Sequence, residues 1–155
     1  MVIPFPALIF QGIPEQIALV TLAFVLAKLK LEWPKIILFA MVLTFTAYFI
    51  RYFSPTFGIH TIVLMGMLFI FFVERYNVPV IKSLKISVSV AVILIITESI
   101  LLNSLMKLFS LSFEVLNENI IYRILITWPQ VLILFLLSFI IIIWRRRKEK
   151  SNETF

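Results

Sequence analysis

The sequence predicts an all-α fold, a polytopic transmembrane bundle of about five membrane-spanning helices. Three observations carry this reading. The 155-residue chain is 62% hydrophobic, with 16 Phe and a mean hydropathy of +1.10. That is more apolar surface than one small core can hide, so lipid is the solvent that accepts it. The apolar stretches run on without alternation, as in Val131–Ile143. In hydrocarbon only helices and closed barrels satisfy their backbone, and barrel strands would alternate. Third, clusters of Lys and Arg close several of the stretches, as charges do at the ends of spans.

The predicted spans follow in order. Span one covers 14–30, opened by Gly12 and Pro14 and closed by Lys28 and Lys30. Proline suits a first helical turn, where its missing N–H has no partner to lose. Span two covers 34–53, with Pro34 at its start and Arg51 near its end. The short link Leu31–Trp33 makes the two an antiparallel hairpin. Span three covers 57–73, after a Ser54-Pro55 turn and before Glu74-Arg75. Span four covers 86–102, preceded by a loop or frayed start with Pro79, Lys82 and Lys85. Span five covers 124–144 and runs into a basic tail, 145–155, beginning Arg145-Arg146-Arg147-Lys148. At about 1.5 Å per residue these spans are about 25–31 Å long, enough for the hydrocarbon layer.

Between spans four and five, Met106, Phe109, Phe113 and Leu116 share one helical face. Asn103, Lys107, Ser110, Glu114 and Asn117 share another. This predicts an amphipathic helix over 103–118, lying in the interface or capping the bundle. Met1–Phe10 is apolar but lacks a basic start and a cleavage site, so it reads as an interfacial or re-entrant lead-in rather than a signal peptide. The whole of 1–155 forms a single membrane domain.

Charge predicts orientation. A cytoplasmic C-terminus places Lys28, Lys30, Lys35, Arg75, Lys82, Lys85, Arg145, Arg146, Arg147, Lys148 and Lys150 inside, and only Arg51, Lys107 and Arg123 outside. The excess of basic residues belongs on the cytoplasmic side. The expected location is the inner (plasma) membrane of a bacterium, with the N-terminus outside. Trp33, Tyr76 and Trp144 would anchor the inner boundary, Tyr52 and Tyr122 the outer. The net charge of +6 is accounted for by this inside excess rather than by nucleic acid.

Catalytic chemistry finds little support. The chain has one His, no Cys and no Asp, so neither a catalytic triad nor an ordinary zinc site can be assembled. Three Gly form no phosphate loop. Nothing links the glutamates to an acid–base reaction. The expectation is a non-enzyme without cofactor or metal.

Ionisable groups within spans are costly and therefore informative. Glu15 and Gln16 fall in the first turn of span one, Arg51 in the last turn of span two and His60 in the first turn of span three. Glu98 lies about one turn inside the end of span four, with Arg123 and Gln130 near the outer end of span five. All fall toward the outer half of the bilayer. Thr44, Tyr48 and Arg51 share one face, and Ser87, Ala91 and Glu98 another; such faces should turn inward. Arg51 paired with Glu98 or Glu15 is the natural neutralising contact. Glu15, Arg51, His60 and Glu98 are the candidate lining of an outward polar pocket. The competing reading is a set of interfacial snorkels, helix-end charges and interhelical contacts. The basic tail reads as a stop-transfer anchor, with anionic lipid or a soluble partner as the alternative.

Phe10-Gln11-Gly12-Ile13-Pro14-Glu15, together with Arg51 and Phe57-Gly58-Ile59-His60-Thr61, resembles the N-terminal membrane region of Firmicute sensor histidine kinases of the quorum-sensing or sporulation type. It also resembles small membrane proteins related to those regions. The resemblance covers the first half of the chain and implies a multi-helix input module reading an external or membrane signal. No dimerisation helix, phospho-accepting His or ATP-binding domain follows Trp144, so a sensor of this kind would act through a partner, a kinase or another membrane protein. The functional expectation is a sensory or regulatory module, with the lipid bilayer and a protein partner or second copy as its company. A small transporter or transporter subunit, with Glu98 as a proton or cation site, and an assembly partner are the rivals.

Overall fold

The computed structural model describes residues 8–53, 59–109 and 120–152. Among them are a π-helical turn, Leu8–Gly12, and five helices: α1 (Ile13–Ala27), α2 (Trp33–Phe53), α3 (Ile59–Tyr76), α4 (Val80–Phe109) and α5 (Ile120–Asn152). No strand occurs among the described residues. Five stretches are long and apolar enough to cross a membrane: Leu8–Ala27, Trp33–Ile50, Ile59–Tyr76, Val80–Leu101 and Thr127–Lys148. The chain is an all-α membrane bundle.

The first span starts earlier than Pro14. Pro14 has no N–H to give and its ring crowds the carbonyl four residues back. The chain widens there into the π turn, and Leu8 is already buried. The span also ends earlier, at Ala27, because Lys28 takes a left-handed conformation (φ 63°). Leu29 then donates its N–H to the Phe24 carbonyl at 3.1 Å, and Lys28 to that of Val25 at 3.2 Å. These two bonds form a Schellman ending, here without the usual glycine. Leu29 packs back on the core, a contact that often accompanies this motif.

Of the loop and the helix start expected before span four, the helix start is found: Lys82 and Lys85 lie in the first turns of α4, which begins at Val80. Residues 103–109 of the amphipathic segment prolong α4 rather than begin a separate helix. The rest of that segment, the lead-in 1–7, the start of span three at Phe57 and the last three residues lie outside the described residues. The basic tail is helical through Asn152.

Helix α1 is the centre of the bundle. It packs on α2, α4 and α5, while α3 closes the arc between α2 and α4. Its window is 56% buried, against 17–28% for the other four. The Phe24 ring meets those of Phe71, Phe72 and Tyr76 at centroid distances of 6.3, 5.5 and 5.1 Å. Phe39 of α2 stacks on Phe71 at 3.8 Å. In lipid such contacts hold helices by packing, since hydrocarbon offers no hydrophobic drive between them. The outward sides of α2, α3, α4 and α5 carry exposed Leu38, Phe49, Ile62, Ile70, Ile81, Ile96, Leu132, Phe139 and Ile140, as a lipid-facing surface should.

The up-and-down connectivity sends the α1, α3 and α5 C-termini and the α2 and α4 N-termini to one end. That end holds Lys28, Lys30, Lys35, Arg75, Lys82, Lys85 and Arg145–Lys148, and is called here the basic end.

Candidate functional site

The polar groups of the opposite end gather where α1 begins. Glu15, in the first turn of α1, is half-buried beside Gln130 of α5, which is buried. Gln130 Nε2 donates to Glu15 Oε1 at 3.4 Å, a long bond at the outer limit of the usual range. Pro129, inside α5, removes one backbone donor just before Gln130. Gln11 and Gln16, four residues before Glu15 and one after it, have side-chain carbonyl oxygens that are buried without a donor among the described residues. On the far side of the π turn, Thr44 of α2 reaches Gly12. Its Oγ1 lies 3.4 Å from the Gly12 carbonyl and donates more closely, at 2.8 Å, to Ala40 within its own helix. A Cβ on Gly12 would stand 3.1 Å from Thr44 Cγ2, so this glycine permits the close approach of α2.

The four expected site residues belong to this end by helix direction: Glu15 at the start of α1, Arg51 in the last turn of α2, His60 in the first turn of α3 and Glu98 in the second half of α4. Glu15, His60 and Glu98 are all half-buried. His60 Nε2 lies 3.3 Å from Thr61 Oγ1, with donor and acceptor set by the ring tautomer. The side chains of Arg51 and Arg123, and with them the expected pairing of Arg51 with Glu98 or Glu15, lie outside the described residues. Of the two faces expected to turn inward, Thr44 and Ser87 are buried and Tyr48, Ala91 and Glu98 half-buried.

Gln130, outside the four expected residues, is in contact with Glu15. Its sequence signal is a lone amide, after Trp128-Pro129, at the head of an otherwise apolar run.

At the basic end two cations close α1. Arg145 Nη2 donates to the Val25 carbonyl at 2.7 Å and Lys82 Nζ to the Ala27 carbonyl at 3.1 Å. The last carbonyls of a helix carry the negative end of its dipole; the Val25 oxygen, which already accepts from the Lys28 N–H, takes Arg145 as a second donor, and Lys82 serves Ala27. Lys35 pairs with Glu32 ahead of it and sits 5.6 Å from the Tyr76 ring centroid. Arg145, which the sequence places in a basic anchor, is thus an interhelical clamp.

Between the two ends the α1 interior is apolar: Leu22, Ala23 and Phe24 are fully enclosed. The hydroxyls of Thr21 and Ser138 turn back on their own helices, to Ile17 and Leu134. Among the described residues no three His, Asp or Glu side chains gather as a metal ligand set. Comparison of the chain with protein-family models, curated proteins and solved structures finds no match to any of them.

Proposed function

We propose that this chain is a non-enzymatic sensory or regulatory module of the bacterial inner membrane, N-terminus outside and C-terminus cytoplasmic, whose outward polar pocket is built around Glu15. The supporting observation is how α1 and α5 are joined. They run in the same direction and are bonded at both ends, Gln130 to Glu15 at one and Arg145 to Val25 at the other. A ligand or charge change that alters the first contact shifts α1 against α5, and α5 is the helix that leaves the membrane at the basic end. Arg51, His60 and Glu98 complete the pocket from the neighbouring helices. The resemblance of the first half of the chain to kinase input regions points to a kinase or other membrane protein as the receiver.

Sensing is favoured over transport by the enclosed apolar middle of α1. A substrate path would need polar groups to continue past Thr21, and Leu22, Ala23 and Phe24 face only packed neighbours.

The test is a comparison of transcript profiles between the host strain, a deletion strain and a strain carrying Arg51→Leu with Glu98→Leu. The double variant is expected at normal level in the membrane with the profile of the deletion strain. A deletion that leaves transcription unchanged, with Glu98-dependent ion flux in liposomes, would replace sensing by transport.

A further inference from the structure

We propose that the basic end carries a binding site for the phosphate of an anionic phospholipid, in the seam between the α1–α2 turn and the last turns of α5. This rests on the membrane-spanning fold and not on a sensory role.

The Arg145–Val25 contact at 2.7 Å joins two basic clusters that are 120 residues apart in sequence. On one side, three residues past Val25, stands Lys28, followed by Lys30. On the other, directly after Arg145, stand Arg146, Arg147 and Lys148. All five are exposed. Arg145 and Lys82 direct their hydrogen bonds to α1 carbonyls but keep their charges, adding to the field of the seam. Of the carboxylates at this end, Glu32 is held by Lys35, Glu74 stands at the end of α3, and Glu149, on α5 directly after Lys148, leaves the five exposed cations in excess. Arg146, about 100° round α5 from Arg145, brings the forked donors that match a phosphate, whereas Arg147, about 200° round, faces away from α1.

The depth of the seam selects lipid over a soluble acidic partner. The apolar windows of α1 and α5 stop at Ala27 and Lys148, so the seam lies at headgroup level. Trp33 and Trp144, 48% and 67% exposed, stand at the same level, where aromatic rings favour the interface. Lys148 Nζ lies 5.7 Å from the Trp144 ring centroid, which holds that cation at the interface rather than out in water. A cluster of exposed cations between two helices at this depth is the kind of site that takes anionic headgroups.

The test uses the full chain in non-ionic detergent, titrated with dioleoyl phosphatidylglycerol or dioleoyl phosphatidylcholine, with bound lipid counted by native mass spectrometry. The anionic lipid is expected to bind at least about tenfold tighter. Lys28→Gln with Arg146→Gln should remove most of that preference, and Arg146→Gln with Lys148→Gln should do the same, each with the lipid-free thermal transition unchanged. Lys107→Gln, at the other end, should leave the preference intact. Equal binding of the two lipids, a preference that survives both double variants, or one that Lys107→Gln also abolishes would overturn the site. So would displacement of the anionic lipid by polyglutamate at equal charge, which would assign the seam to an acidic polypeptide.

Discussion

Arg145 of α5 donates to the carbonyl of Val25 on α1 at 2.7 Å. This bond lies in the last turn of α1, where the helix dipole is negative, and adds a charged donor to a carbonyl that otherwise accepts only the long Lys28 N–H bond. Lys28, left-handed just beyond it, keeps the chain from continuing the helix. Arg145→Leu is therefore expected to cost about 1–2 kcal/mol, and Arg146→Leu, one residue on and exposed, close to nothing. Unfolding of the two variants in mixed micelles, followed by circular dichroism, decides it. Equal stability of the two would remove the clamp.

The Glu15–Gln130 contact should be weak. A 3.4 Å bond at the membrane edge falls near the modest values measured for hydrogen bonds between membrane helices, about 0.6 kcal/mol. A double-mutant cycle with Glu15→Ala and Gln130→Ala is expected to give a coupling of that size. A coupling above about 2 kcal/mol would mark the pair as a structural lock, unsuited to being shifted by a ligand.

How much of this was legible in the residues differs by level. The spans were, because hydrocarbon imposes their length and continuity. Which span sits at the centre was not. In lipid every helix is apolar all round, so the usual contrast between a buried face and a wet one vanishes. The remaining sign of α1's position is its small residues, Ala18, Thr21, Ala23 and Ala27, which let neighbours approach. The polar site was legible in part. Glu15 and Glu98 stand out because charges in spans are costly; Gln130 is legible near the end of span five but, being neutral, gives no reason to place it with Glu15. Arg145 was read as one of a run of four cations, since sequence places a residue along a helix but not around the bundle.

Two glycines offer a paired test. A Cβ on Gly12 would press on Thr44 Cγ2 at 3.1 Å. Thr44 cannot readily turn away, because its hydroxyl is bonded to Ala40 at 2.8 Å. Gly12→Ala is expected to destabilise by about 1 kcal/mol. On Gly66, within α3, a Cβ meets nothing within 4 Å, and Gly66→Ala should stabilise by up to about 0.5–1 kcal/mol through helix propensity. Opposite shifts in the thermal transition are the expected outcome. A stabilising Gly12→Ala would mean that the π turn and α2 do not pack as described.

The aromatic cluster at the basic end is the strongest packing feature and sets the last expectation. Phe24 is fully buried, and its ring touches three rings of α3, one of which stacks on Phe39 of α2. Truncation to Ala leaves a void lined by rings held on separate helices, so the site has little freedom to collapse. The cost should reach about 3 kcal/mol, the low end for Phe→Ala in a packed core, because lipid supplies packing loss without a full transfer term. Phe49→Ala removes the same atoms from a lipid-facing position, exposed by 56%, and should cost less than about 0.5 kcal/mol. The ratio of the two, read as unfolding in mixed micelles, tests whether α1 is the core of the bundle. If Phe49→Ala were the more damaging, α2 would be packed on something beyond this chain, and α1 would not be the element on which the other helices are assembled.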